Sequence, residues 1–170
     1  MRVISDSSPL IYLVKIGCIK YLKNLFDEII ISKGVYEEIL EGRKHGKNET
    51  IILEELIEEE FIIVKEPNSI IEIETLDRGE KESISICKEL NINTILIDEE
   101  KGFNISYMFN LNPIRTTNLL IILLDKSLIN LSRYKEFLNK LIEAGYFLDA
   151  STYEKLLRIG KSIVKNRLLK

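Results

Sequence analysis

The sequence predicts an α/β fold in three α/β/α layers, with a central, mainly parallel sheet of about five strands. Three observations lead there. Short apolar segments alternate along the chain with segments of helical period, and parallel strands are generally joined through a helix. One apolar segment, Glu28–Ile31, is almost wholly isoleucine, the pattern of a strand buried on both faces. The composition is 45% apolar and 30% charged over 170 residues, with 8 Gly and 3 Pro. That is the profile of one globular domain spanning residues 1–170, and it excludes disorder and collagen-like repeats.

The first strand is expected at Arg2–Ser5, and Asp6-Ser7-Ser8-Pro9 reads as its end followed by a helix start, because proline is tolerated in the first helical turn. Helices follow at Pro9–Ile16 and Ile19–Leu25, then the isoleucine strand. Ser32 is placed to cap a helix over Gly34–Glu41, with Gly42 at its end. After a polar loop, Ile51–Glu60 reads as an amphipathic helix and Phe61–Val64 as the third strand. Glu66 to Thr75 reads as a loop with a short edge strand. Asp77 caps a helix from Arg78 to Leu90, and Thr94–Ile97 is a fourth strand ending at Asp98. A helix over Glu100–Phe109, a fifth strand at Leu111–Ile114 and a strongly apolar helix over Thr116–Lys126 come next. That last helix reads first as core and second as a dimer face. From about residue 130 a helical extension is expected, with Arg133–Ala144 capped by Ser132, then Ser151–Arg167.

The 24 Lys and Arg against 27 Asp and Glu leave a net charge of −3, so no chain-wide basic field holds nucleic acid and any such binding must be local. Cys18 and Cys87 lie far apart without metal-ligand spacing; they read as buried thiols of a reduced compartment, which argues against structural zinc. Asp6 interrupts the N-terminal apolar stretch before it resembles a signal peptide. The longest apolar run, Leu119 to Leu124, is far shorter than the roughly 20 residues of a membrane span. A cytoplasmic protein without a membrane partner is the expectation.

In open parallel sheets, ligands collect beyond the carboxyl ends of the strands, and here strands one and four end in Asp6 and Asp98. Glu37 and Glu38 sit on the helix after strand two, and Glu80 and Glu82 in the first turns of the helix before strand four. Acids from four distant stretches thus converge on one edge. Such carboxylates raise one another's pKa values and suit a hard divalent cation, Mg²⁺ or Mn²⁺. That cation lowers the pKa of water and neutralises a phosphodiester. Plainer readings stand beside this one. Glu37, Glu99 and Glu100 read as solvated surface, Asp6 as a helix cap, and Glu80 with Glu82 as favourable charges at a helix N-terminus. The single histidine, His45, reads as solvated within the Arg43–Lys47 loop.

The run Asp-Ser-Ser-Pro-Leu-Ile at Asp6 to Ile11, Leu-Asp-x-Gly-Glu-x-Glu at Leu76 to Glu82, and Leu96-Ile97-Asp98 followed by Gly102 together resemble the PIN-domain nucleases. The likeness runs in order from Arg2 to about Ile129. The resemblance implies a PIN-like fold and a metal site of Asp6, Glu38 in preference to Glu37, Glu80 or Glu82, and Asp98. It implies that Thr116 orients a metal-bound water, although a helix N-cap explains the same threonine. It also implies a Mg²⁺- or Mn²⁺-dependent endoribonuclease, the toxin of a toxin–antitoxin pair, with a protein antitoxin over the site and homodimerisation.

The pattern departs in three places. Phe103 stands where this branch usually has arginine, and Arg115 and Asn118 replace glycines around Thr116. These changes touch substrate handling more than fold, and an arginine elsewhere near the site is what would compensate. RNA also needs a local basic counter-field. The candidates are Arg43, Lys44 and Lys47 of the polar loop, Arg115, and the acid-free tail of Lys155, Arg158, Lys161, Lys165, Arg167 and Lys170. Two rival readings remain: a PIN-like RNA- or protein-binding module with little or no cleavage, and an aspartyl-phosphate enzyme using Asp6, for which Ser8 replaces the expected second aspartate.

Overall fold

The computed structural model describes residues 1–44, 46 and 48–169; His45 and Lys47 of the basic loop and Lys170 of the tail lie outside the described residues. Five parallel strands, β1 (Arg2–Ser5), β2 (Glu28–Ser32), β3 (Ile62–Lys65), β4 (Thr94–Leu96) and β5 (Asn112–Ile114), form one sheet in the order β3-β2-β1-β4-β5. The chain starts at the centre, builds outward through β2 to β3, then crosses back to add β4 and β5. The reversal falls between β1 and β4, so the crevice at their carboxyl ends is where such a sheet binds ligands.

Strand alternation assigns side chains to two cores. Val3, Ile29, Ile31 and Leu96 face one, shared with α1 (Ser7–Lys15), α2 (Lys33–Lys44), α3 (Glu49–Glu58), α6 (Thr116–Asp125), α7 (Leu131–Glu143) and α8 (Ala150–Leu168). Ile4, Ile30, Ile95 and Ile97 face the other, shared with α4 (Arg78–Glu89) and α5 (Glu100–Met108). The isoleucine strand is buried on both faces, as its composition requires. Helix α6 contributes Leu119, Leu120, Leu123 and Leu124 to the first core. Cys18 and Cys87 are free and buried in different cores, and burial pushes each thiol up to about 12. Among the described residues no helix is long and apolar enough to cross a membrane.

Several boundaries differ from the sequence expectation. Ile19–Asn24 is a 3₁₀ turn, and α2 runs through Gly42 to Lys44. The expected cap of α2 is present: Ser32 Oγ accepts the Val35 N–H at 3.1 Å. Residues 66–75 form no strand. Their backbone is tied to α4 instead, with Ile71 N–H donating to Ser85 Oγ at 2.9 Å and Ser69 N–H to Glu89 at 3.0 Å. Helix α7 begins earlier than expected because Asn130, not Ser132, is its cap, accepting the Arg133 N–H at 2.8 Å. Both residue types cap helices; the earlier start also lets Leu131 pack on the core.

The C-terminal helices are held against α6 by polar as well as apolar contacts. Arg167 donates to the carbonyls of Leu124 and Asp125 at the end of α6, and the buried Tyr134 hydroxyl donates to the Leu156 carbonyl at 3.0 Å. Gly160 lies where α8 crosses that tyrosine: a Cβ there would stand 2.7 Å from Tyr134 Cε1 and 3.3 Å from Leu124 Cδ2. Gly160→Ala gains about 1 kcal/mol of helix propensity but overpacks a ring pinned by its hydroxyl, at roughly 1–3 kcal/mol. The expected outcome is a net loss of about 1 kcal/mol, read as a lower urea midpoint with an unchanged slope.

Candidate active site

Strand register brings Asp6 and Asp98 to one edge. Ser5 pairs with Leu96, and the Asp6 N–H donates to the Leu96 carbonyl at 2.9 Å. The two aspartates therefore leave neighbouring central strands at the same end, although ninety-two positions separate them in sequence.

Asp98 is fully engaged. One carboxylate oxygen accepts the Thr116 N–H at 2.8 Å and the Tyr146 hydroxyl at 2.9 Å; the other accepts the Thr116 hydroxyl at 2.6 Å. Thr116 is the first residue of α6 and makes no cap with its own side chain; Asp98 instead takes one of the amides that α6 cannot satisfy internally. Burial raises the Asp98 carboxyl above the usual carboxylate range, while Thr116, Tyr146 and the Arg115 charge pull it back. Tyr146 comes from the connection between α7 and α8, and its ring meets Tyr12 edge-on at 5.0 Å. Sequence reading missed it, because nothing in a loop tyrosine forty-eight residues downstream signals contact with Asp98.

Asp6 is buried, at 5% exposure. Burial, followed by the charges of Glu38 and Asp77, pushes its carboxyl up to about 8; Glu80 adds to this, and the Ser7 amide opposes it. The structure thus brings Glu38 and Glu80 to bear on Asp6. It adds Asp77, which the sequence marked only as a cap. Asp77 is a cap as well: it accepts the Glu80 N–H at 2.8 Å while Glu80 Oε2 accepts the Asp77 N–H at 3.2 Å. The other oxygen, Glu80 Oε1, is buried without a hydrogen-bond partner. Gly102 permits this approach, since a Cβ there would lie 2.4 Å from Glu80 Oε1 and 2.3 Å from Ile97 Cδ1. Burial raises the Glu80 carboxyl too.

Glu82 has a different place. At 2% exposure, it accepts the Gly34 N–H at the start of α2 at 2.7 Å and Arg78 Nε at 2.7 Å. Arg78 also bonds Glu37 at 2.5 Å, leaving Glu38 as the α2 acid that acts on Asp6. Glu82 thereby ties α4 to the start of α2. Glu82→Ala is expected to cost roughly 2–3 kcal/mol, since it strands the Gly34 amide and half of Arg78's hydrogen bonding. Chemical denaturation measures that loss.

The proposed basic groups are distributed unevenly. Arg43 forms a two-oxygen pair with Glu54 at 2.7 and 2.8 Å, and Lys44 pairs with Glu41 at 2.6 Å, so both described cations of the loop have acidic partners. Arg115 lies at the acidic edge. Its Nη1 donates to the Asp98 carbonyl at 3.3 Å and its guanidinium sits 4.3 Å from the Phe103 ring centroid. Two of the three departures noted in the sequence therefore meet in space. The phenylalanine where an arginine was expected supports an arginine arriving from another strand end.

Among the described residues, no three His, Cys, Asp or Glu side chains stand together as a ready metal-binding group. The chemistry of the set suits a hard cation all the same: every candidate donor is a carboxylate oxygen, Glu80 Oε1 is buried and orphaned, and the Asp6 carboxyl is pushed up to about 8 by burial and then by its acidic neighbours. A cation relieves both penalties.

Residues 2–162 match a family model described as DUF3368: PIN domain, and the chain belongs to that family. PIN domains are generally nucleases and typically use divalent metals. Among solved structures the chain is similar to a PilT N-terminus domain protein from the archaeon Sulfolobus solfataricus P2. The two are 16% identical with a TM-score of 0.48, over 70% of this chain and 90% of that one. A search of curated proteins found no significant match.

Proposed function

We propose that this protein is a Mg²⁺- or Mn²⁺-dependent endoribonuclease that hydrolyses RNA phosphodiesters at the carboxyl ends of β1 and β4. The observation that carries the reading is buried Asp6, facing the charges of Glu38, Asp77 and Glu80, at the edge where the adjacent strand β4 leads out to Asp98. Asp6, Glu38, Glu80 and Asp98 would hold the cation, directly or through water. A cation bound there would supply charge neutralisation at the phosphodiester and lower the pKa of a nearby water toward neutrality. The buried, unpartnered oxygen of Glu80 favours it over Glu82 as a ligand, and Glu82 then serves by fixing α2 and with it Glu38.

The remaining groups orient and neutralise. The Thr116 hydroxyl and amide hold the Asp98 carboxylate in one rotamer, and the Tyr146 hydroxyl closes it from the other side. Arg115, stacked on Phe103, presents its charge beside Asp98 for a phosphate. Arg43, Lys44 and Lys47 follow Glu38 along the chain and are secondary candidates for the RNA path, since Glu54 and Glu41 already pair with Arg43 and Lys44. The chain acts as one domain, residues 1–170, whose helical extension walls the site through Tyr146. The same reading extends to a cytoplasmic toxin with a protein antitoxin covering the crevice, and to a homodimer; family membership is its support.

The test is cleavage of structured and single-stranded RNA by the purified protein with Mn²⁺, with chelator, and after Asp6→Asn. Loss of cleavage in chelator and in the variant is expected. A binding module without catalysis, favoured by the lack of a preassembled metal-binding group among the described residues, would instead retain RNA, cut nothing and take up no metal by calorimetry. Covalent phosphate on Asp6 would reveal the aspartyl-phosphate chemistry.

A further inference from the structure

Beside Asp98 the surface opens into a groove of about 560 Å³ between α6, the α7–α8 connection and the first turns of α8. It is continuous with the crevice over Asp98, because Glu100, Arg115, Tyr146 and Phe147 line both. The volume falls in the range of small-ligand sites. Three features define what fits. Phe147 is 89% exposed on the rim, yet the neighbouring Tyr146 is anchored by Asp98 and Tyr12, so the exposed ring is carried on a fixed stretch of chain. Arg115 offers a guanidinium held 4.3 Å from the Phe103 ring centroid. Lys155, which lines the groove from α8, has no ion-pair partner among the described residues. The acids of the groove are Glu100 and Asp149, and Asp149 is engaged by the Thr152 amide and hydroxyl at 2.9 and 2.5 Å.

With two cations and two acids the groove is no strong trap for phosphate alone. An exposed aromatic ring beside a flat guanidinium and an apolar floor instead suits a flat, unpaired base with a phosphate attached. We propose that this groove is a subsite for one unpaired nucleotide of a single-stranded RNA. Its base stacks on Phe147, and its phosphate passes between Lys155 and Arg115 toward the Asp98 crevice. The inference rests on the nuclease reading for its ligand and assigns the groove to one base of that ligand; duplex RNA, whose bases are stacked and paired, does not fill it.

The experiment is fluorescence anisotropy with an end-labelled single-stranded RNA hexanucleotide in chelator at low salt, so that affinity is read without cleavage. Stacking on one aromatic side chain predicts a roughly tenfold to hundredfold weakening in Phe147→Ala, with Phe147→Trp restoring affinity, and weaker binding of a duplex of the same sequence. A hexanucleotide carrying 4-thiouridine should crosslink within residues 146–159. Binding by Phe147→Ala within twofold of the parent, crosslinks confined elsewhere, or no binding by the parent overturns the subsite. Failure of the nuclease reading looks different: Phe147-dependent binding persists while Mn²⁺ elicits no cleavage.

Discussion

Asp98→Asn is expected to lower Mn²⁺-dependent RNA cleavage by roughly a hundredfold to a thousandfold, the scale of losing several kcal/mol of transition-state charge stabilisation. It should leave the fold nearly intact. The asparagine carbonyl oxygen can still accept the Thr116 N–H and the Tyr146 hydroxyl that now share one aspartate oxygen, and the Thr116 hydroxyl can turn to accept from the new amide nitrogen. What disappears is the negative charge at the start of α6, worth about 0.3–1 kcal/mol, or a few degrees of melting temperature in a chain of this length. Single-turnover cleavage and a thermal melt on the same sample separate the two effects. A variant as active as the parent, or one that fails to melt cooperatively, would contradict the assignment of Asp98 as a charged group whose carboxylate is held by the neutral donors of Thr116 and Tyr146.

The metal-free protein should become less stable as pH rises from about 4 to about 8, opposite to the usual behaviour of a carboxylate. Asp6 is raised from 3.8 to about 8 in the folded state. Between those values the unfolded chain has released its proton while the folded protein still holds it, so raising the pH favours unfolding. The contribution is fully present below about pH 4 and is lost as pH passes through about 8, and its size is on the order of a few kcal/mol. Asp6→Asn should therefore flatten the pH profile and stabilise the metal-free protein at pH 8. Mn²⁺ should restore the parent's melting temperature at pH 8, because a cation favours the ionised carboxylate that its acidic neighbours oppose, and should do much less for the variant. Thermal melts at pH 5 and pH 8, with and without Mn²⁺, decide this; a parent protein more stable at pH 8 than at pH 5 in chelator would refute the burial and crowding of Asp6.

Much of the arrangement was legible in the residues. The strand at Arg2–Ser5 matches its expected bounds, the isoleucine strand is doubly buried, and two strand-terminal aspartates pointed to the edge where the sheet reverses. The division of labour between Glu80 and Glu82 was not legible. Two residues apart on one helix, both are buried. Only the packing of α4 against α2 shows that Glu82 meets the Gly34 amide while an oxygen of Glu80 is left unpartnered. Asp77 was hidden for a related reason: a capping residue looks the same in sequence whether or not another strand end lies opposite it.

The residue pattern by itself determined the α/β alternation, the parallel sheet and the aspartates at its carboxyl edge, because those follow from local periodicity and from where apolar runs meet a charge. Tertiary structure alone decided which carboxylates crowd Asp6, that Tyr146 closes on Asp98, and that Phe103 and Arg115 stack on each other. Those contacts join side chains from separate elements whose spacing is set by helix packing across the sheet, a distance that neither partner's immediate neighbours encode.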